Sequence, residues 1–303
     1  MKALLMLFLL LPIQEGDPFL GRWQGHYQLE SSYSGPFETD VVPLGKGAYQ
    51  LWVRMGERGS RYEIQGLRQG DKVLFQGRFQ VVEGTDDAAY DLTGEISDGR
   101  LTGRFESPEG NGTIELAKLS ASNRASVNPP DGAVTLFEGR GLQEWKAVDG
   151  GRIAWKVTDG GALEASGADL VSKQAFGTFR LHLEFLLPLM PEARGQERAN
   201  SGIVVAGSSE VHILDSFGEE PTAESCGAIF GIAAPRLNAC LPPLEWQAMD
   251  VTLRAGEITV TLNGVTIHER RKILSFQQSP VRLRSTGSPV RFRNIWVRPL
   301  EDQ

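Results

Sequence analysis

The sequence predicts an all-β protein in two parts, a small antiparallel meander or open barrel followed by a two-sheet sandwich. Three observations predict it. Short runs alternate apolar and polar residues with period two, as in Tyr49-Gln50-Leu51-Trp52-Val53 and Phe179-Arg180-Leu181-His182-Leu183-Glu184-Phe185, which is the pattern of strands with one buried face. The 35 glycines and 16 prolines break the chain too often for a helix-rich fold. Finally, Glu257 to Leu262, Asn263-Gly264 and Val265 to Glu269 read as a hairpin, because Asn-Gly accepts the positive φ angles of a type I′ turn.

Taken in order, the chain opens with Lys2 and a wholly apolar run from Ala3 to Leu11. A bilayer span takes about 20 residues, so this run fits instead the apolar region of a secretory signal over residues 1–16. It predicts a secreted or periplasmic protein. No other stretch is long and apolar enough for a membrane span. The meander occupies 17–119, where runs such as Val73-Leu74-Phe75 and Leu101-Thr102-Gly103-Arg104-Phe105 alternate with turns such as Ser97-Asp98-Gly99. Trp23, Tyr27, Tyr49 and Trp52 are its expected core aromatics. Residues 120–132 are polar and end in Asn128-Pro129-Pro130-Asp131-Gly132. Paired prolines cannot join a sheet ladder, so this stretch reads as the linker. The second domain, 133–303, closes with strands over Val281 to Arg284 and Val290 to Val297, and two antiparallel sheets packed face to face would bury its apolar faces.

Length and charge narrow the function. The 303 residues allow two modest domains. A formal net charge of −7 without grouped Lys and Arg excludes nucleic acid as the expected partner, since phosphate neutralisation needs basic clusters. The sequence holds no P-loop, dinucleotide fingerprint, nucleophile elbow or zinc-protease motif. Cys226 and Cys240 are the only cysteines. In an oxidising compartment they are expected to form a disulfide, the alternative being two free buried thiols.

Three polar groups could carry chemistry. They are His182 with Glu184, Arg198-Ala199-Asn200-Ser201, and Glu210-Val211-His212 followed by Asp215. Glu210 and His212 share a face by strand parity, whereas Asp215 has the opposite parity. Carboxylates beside an imidazole can act as acid and base, or bind a divalent cation, and equally can decorate the wet face of a strand. Parity places Glu184, Glu210 and His212 on the faces opposite their strands' apolar residues. One shared concave surface is therefore expected, with Asn200 beside them and Arg284 at the edge.

Several segments resemble the 3-keto-disaccharide hydrolase domain family. They are FRLHLEFLLPLMPEARGQERANSGIVV and SSEVHILDSFG, the opening Ala133-Val134-Thr135-Leu136-Phe137-Glu138-Gly139, Cys226-Gly227-Ala228-Ile229-Phe230-Gly231, Pro242-Pro243-Leu244-Glu245-Trp246-Gln247, and Val290-Arg291-Phe292-Arg293-Asn294-Ile295-Trp296-Val297. The motifs span the second domain in order. The meander in front is similar to the N-terminal part of some exported bacterial members. The resemblance implies a concanavalin-like jelly-roll sandwich that hydrolyses or eliminates 3-keto-glycosides. A ketone at C3 acidifies the C2 proton, so such a site needs a base, an enolate stabiliser (a divalent metal ion or hydrogen-bond donors) and an acid. The resemblance carries over to His182, Glu184, Asn200, Ser201, Glu210 and Asp215. Glu210, His212, Glu184 and Asp215 are the catalytic candidates, and His182, Asn200, Ser201 and Arg284 the substrate-binding ones. Trp246 and Asn294 are expected to be structural. The sequence departs from the family at His212, where Gln is common, and at Arg284 and Thr286, which replace Gln and His. The alternatives to an enzyme are a carbohydrate-binding protein without catalysis and an adhesion module that uses the meander.

Overall fold

The structure, a computed structural model, describes residues 16–55, 60–83, 86–120, 126–273 and 276–301. The expected signal therefore lies outside the described residues except for Gly16.

The first domain is an eight-stranded antiparallel barrel. Its strands are β1 (Gly21–Leu29), β2 (Ser34–Gly45), β3 (Ala48–Met55), β4 (Ser60–Gln69), β5 (Lys72–Glu83), β6 (Asp86–Ser97), β7 (Arg100–Glu106) and β8 (Gly112–Lys118). Each pairs with the next, and β1 pairs with β8 from Trp23↔Lys118 to Leu29↔Gly112. The meander therefore closes rather than staying open, although β4 and β5 pair only over Gln65–Gln69 and Lys72–Gln76. Trp23 and Tyr49 lie in the barrel core, and Tyr27 is partly buried against it. Trp52 does not belong to that core. Its parity opposes Leu51 and Val53, so it points outward and packs with Leu20, Val42, Leu189 and Phe217 in a cluster between barrel and sandwich.

The second domain is a sandwich. Its strands are β9 (Val134–Phe137), β10 (Trp145–Ala147), β11 (Lys156–Val157), β12 (Leu163–Glu164), β13 (Leu170–Phe176), β14 (Phe179–Leu186), β15 (Asn200–Val205), β16 (Ser209–Leu214), β17 (Trp246–Arg254), β18 (Glu257–Leu262), β19 (Val265–Lys272), β20 (Ser279–Leu283) and β21 (Arg291–Pro299). One sheet runs β10-β13-β20-β15-β16. The other runs β11-β12-β21-β14-β17-β18-β19, with β9 on β21. The predicted hairpin is present, with Asn263 and Gly264 at φ 53° and 81° between β18 and β19. The core fills from both sheets. Leu181, Leu183 and Phe185 come from one, and Ile203, Val211, Ile213 and Leu283 from the other.

Two sets of contacts join the domains. Arg61 Nη1 donates to the Gly218 carbonyl at 2.6 Å, and Arg194 Nη2 to that of Leu44 at 2.7 Å. The linker is also fixed at Ser126 and Val127, where Asn294 Nδ2 donates to Ser126 Oγ and to the Val127 carbonyl, both at 2.9 Å. Among the described residues no helix is long and apolar enough to cross a membrane.

Candidate functional site

Cross-strand register builds a polar face on the outside of the five-stranded sheet. In one row Lys146 stands opposite Val171, Val171 opposite Arg282, Arg282 opposite Val204, and Val204 opposite Glu210. In the next row the Arg284 amide donates to the Gly202 carbonyl, and Gly202 stands opposite His212. Neighbours in register share a face, so Glu210, His212 and Arg284 meet there, on the side away from the core residues Val211, Ile213 and Leu283.

Gly202 makes room for a side chain on this face. A Cβ at that position would lie 2.4 Å from Glu210 Oε1. Without one, the Glu210 side chain folds across the strand. Both its oxygens accept from Arg284 Nη1 at 2.9 Å, and Oε1 lies 2.9 Å from His212 Nδ1. His212 Nε2 lies 3.0 Å from Gln196 Oε1. The Gln196 amide is oriented by its neighbours, since its Nε2 donates to the Glu224 carbonyl and its Oε1 accepts from Asn200 Nδ2. Both imidazole nitrogens therefore face side-chain oxygens. Burial alone would raise the pKa of Glu210. The hydrogen bonds from His212 and Arg284 outweigh it and hold the carboxyl below its ordinary value. The face thus presents an ionised carboxylate flanked by two donors. The Phe230 ring sits 4.6 Å from the imidazole and is partly open to solvent.

The other substrate-binding candidates differ in what they offer. Asn200 Oδ1 is buried and has no partner among the described residues, so it is an unused acceptor beside Gln196. Ser201 is fully buried, and its Oγ donates to the Arg284 carbonyl at 2.8 Å, which fixes the backbone that carries Arg284. Thr286 Oγ1 donates to the Asn200 carbonyl at 2.6 Å. Asp215 is not on this face. It is buried beyond the end of β16 and accepts from Arg198 Nη2 at 2.6 Å, and burial pushes its pKa up against the pull of Arg198.

The expectation that Glu184 shares a surface with Glu210 and His212 is overturned. His182 and Glu184 lie on β14, in the eight-stranded sheet, and face away from the same core on the opposite side of the sandwich. Parity assigns a side chain to the outer face of its sheet but does not say which sheet the strand joins. Both residues are buried, in a network of their own. Glu184 accepts from Arg293 Nε at 2.6 Å, from Asn294 Nδ2 at 2.9 Å and from Ser126 Oγ of the linker. Burial would raise its pKa, but His182 at 3.9 Å, Ser126, Asn294 and Arg293 together bring it down to about 2. His182 Nδ1 lies 3.2 Å from Asp250 Oδ1, and its ring stacks on Trp296 at 5.0 Å. Burial lowers the His182 pKa, while Asp250 and Glu184 raise it to a net increase. This network clamps the linker to the sandwich. Asn294 is structural, as expected. Trp246 is not a core aromatic, because it is half-buried beneath the Arg293 guanidinium at 4.0 Å.

The expected disulfide is also absent. Cys226 and Cys240 are free and buried. Hydrogen bonding to Cys240, followed by burial, pushes the Cys226 thiol well up. The Cys240 thiol also faces the Leu214 and Leu241 carbonyls at 3.6 and 3.4 Å. Thiols enclosed in this way are satisfied without a bond.

No group of three His, Cys, Asp or Glu side chains that could hold a metal ion occurs among the described residues. At Glu210 the Arg284 guanidinium already occupies both oxygens, which leaves them poorly placed to ligate a divalent ion. Sequence reasoning missed Gln196 and the ring of Phe230. Gln196 lies in a single 3₁₀ turn, Gly195–Glu197, and no periodicity announces it.

The family that the sandwich matches is a carbohydrate-active one. Residues 132–298 match the family described as the 3-keto-alpha-glucoside-1,2-lyase-like domain, and the chain belongs to it. The barrel lies outside the matched residues. Three solved proteins of Parabacteroides distasonis ATCC 8503, each named "putative glycosyl hydrolase", are similar to this structure. One is 29% identical with a TM-score of 0.52, covering 59% of this chain and 95% of its own. A second is 24% identical with a TM-score of 0.46, covering 55% and 99%. The third is 18% identical with a TM-score of 0.48, covering 56% and 95%. Among curated proteins nothing matches the chain.

Proposed function

We propose that the protein cleaves the glycosidic bond of 3-keto-glycosides at the Glu210–His212–Arg284 face. One observation carries the reading: where Gly202 leaves room, the Glu210 carboxylate is held between the His212 ring and the Arg284 guanidinium. Glu210 takes the C2 proton that the C3 ketone has acidified, and the C–H electron pair becomes the enolate. Arg284 and His212, both in contact with Glu210, stabilise the enolate oxygen. The C1–O bond then breaks with its electron pair on the leaving oxygen, and the imidazolium supplies the proton. The sugar is left with a C1–C2 double bond, and addition of water across it would complete hydrolysis. Asn200 Oδ1 would accept from a sugar hydroxyl. The family description and the name of the 29%-identical relative support the substrate class.

The pairing of Arg284 with Glu210 favours a second reading, saccharide binding without turnover, because a fully paired carboxylate is a weaker base. Incubation with 3-keto-trehalose and analysis of the products tests both. Release of glucose with 3-keto-glucose or its dehydrated enone supports the enzyme. Saturable binding with the disaccharide intact selects the second reading. The absence of both binding and turnover rejects the two together.

A further inference from the structure

The row that carries Glu210 does not end at β16. The chain from Gly227 to Phe230 runs back along that strand. The Gly227 amide donates to the His212 carbonyl at 2.7 Å, the His212 amide to that of Ala228 at 2.9 Å, and the Phe230 amide to that of Glu210 at 3.0 Å. Val211 faces Ile229 in an antiparallel bridge, and both lie in the core. Alternation then turns Phe230 outward, onto the face of Glu210 and His212. Its ring lies 4.6 Å from the imidazole and is 36% exposed. On the β15 side Glu210 meets Arg284, and on the other side it meets this ring.

Two residues on, Ile232 is 51% exposed. Phe230, Gly231 and Ile232 form the tip of a tight turn. The amides of Ile229 and Ala233 donate to each other's carbonyls at 3.1 and 2.9 Å. Gly231, at the apex with φ 67°, donates its amide to the Ala223 carbonyl at 2.9 Å. The backbone beneath the two side chains is thus held at the base and at the apex. A single exposed apolar residue is ordinary on a protein surface. Two on one fixed tip, bonded through its backbone to Glu210, form a directed feature that the proposed chemistry does not use.

In the proposed reaction the His212 imidazolium protonates the leaving oxygen. The leaving group must then lie beside that ring, and the apolar side chain packed on that ring is Phe230. We propose that the glycoside taken here carries an apolar aglycone, an alkyl, alicyclic or aryl group in place of a second sugar, packed on Phe230 and Ile232. The proposal rests on the reading of the Glu210 face as the saccharide site. An apolar group in this position removes its own surface and that of both side chains from water, whereas a second sugar would set hydroxyls against Ile232. Phe230 and Ile232 act on specificity and move no proton.

The test is calorimetric titration of the full chain with methyl α-glucoside and cyclohexyl α-glucoside, which share the sugar and differ in the aglycone. The cyclohexyl compound is expected to bind about 10-fold more tightly. The ratio of the two affinities should fall in Ile232→Ser and approach unity in the Phe230→Ser/Ile232→Ser protein. Phe230→Leu, which keeps an apolar side chain, should retain most of it. Equal affinity for the two glucosides, a preference that survives the double substitution, or no binding of either overturns the proposal. Self-association that Ile232→Ser abolishes, with no preference between the glucosides, would assign the tip to contact between copies of the chain and overturn it too. Turnover of 3-keto-trehalose is measured on the same preparations. A preference without turnover contradicts the enzyme reading alone, and turnover without a preference contradicts this proposal alone.

Discussion

Glu184 and Glu210 occupy similar positions, each on the outward side of a strand, yet their neighbours give them different tasks. Around Glu184 the donors are Arg293, Asn294 and Ser126, and the last of these belongs to the linker. A carboxyl held at about 2 against an ordinary 4.5 stabilises the fold. Its folded-state pKa is depressed, so that stabilisation is complete above the unfolded value and is lost as pH falls through the window from 4.5 to 2. Glu184→Gln should therefore melt below the parent at neutral pH, with the gap closing as pH falls through that window. A gap that stays constant down to pH 2 would contradict the assignment. Glu210 instead folds over Gly202 and is held by Arg284 and by the buried ring of His212. Parity in the sequence made the pairing of Glu210 with His212 legible, because both alternate against Val211 and Ile213. Gln196, which orients His212, was not legible, since a turn side chain carries no periodic signal.

Strands and turns were read more accurately than their assembly. The β14 run, the Asn-Gly hairpin and the closing strands all lie where alternation and turn chemistry put them. The order of strands within and between sheets depends on long-range pairing, which local pattern does not encode. For that reason β14 and β16 fell in different sheets, and the expected common surface of Glu184 and Glu210 does not exist. The disulfide failed for a related reason. Sequence supplies two cysteines but not the local packing, in which both thiols find hydrogen-bonding partners. Gly202, quoted in the family motif, gains a reason only from the register that sets it opposite His212. Gly202→Ala should leave the fold intact, because the displaced group is the end of a flexible side chain, but it should push Glu210 off Arg284 and His212. The expected result is an unchanged melting profile with 3-keto-disaccharide turnover reduced roughly 100-fold, the size of losing an acid–base group. Unaltered turnover would show that the Glu210 geometry is unimportant.

In the whole molecule the barrel supports the loop that leads to the site. Arg61 and the Leu20–Val42–Trp52 cluster hold Phe217 and Gly218. Asp215 and Glu219 of the same loop are tied to Arg198, and further along it the Glu224 carbonyl receives Gln196. The linker reinforces this on the opposite side through Ser126 and Val127. A chain starting at Pro130 should still melt cooperatively as a sandwich, but at lower temperature than one starting at Ser126, which keeps the partners of Asn294 and Glu184. Equal melting temperatures would remove the linker from the account. The central claim is that the working face is that of the five-stranded sheet. The most direct measurement is conversion of 3-keto-trehalose by Glu210→Gln and Glu184→Gln proteins side by side, at neutral pH and below their melting temperatures. The account predicts that Glu210→Gln loses turnover roughly 100-fold or more while Glu184→Gln stays near the parent. Loss of turnover in Glu184→Gln with Glu210→Gln unaffected would contradict it.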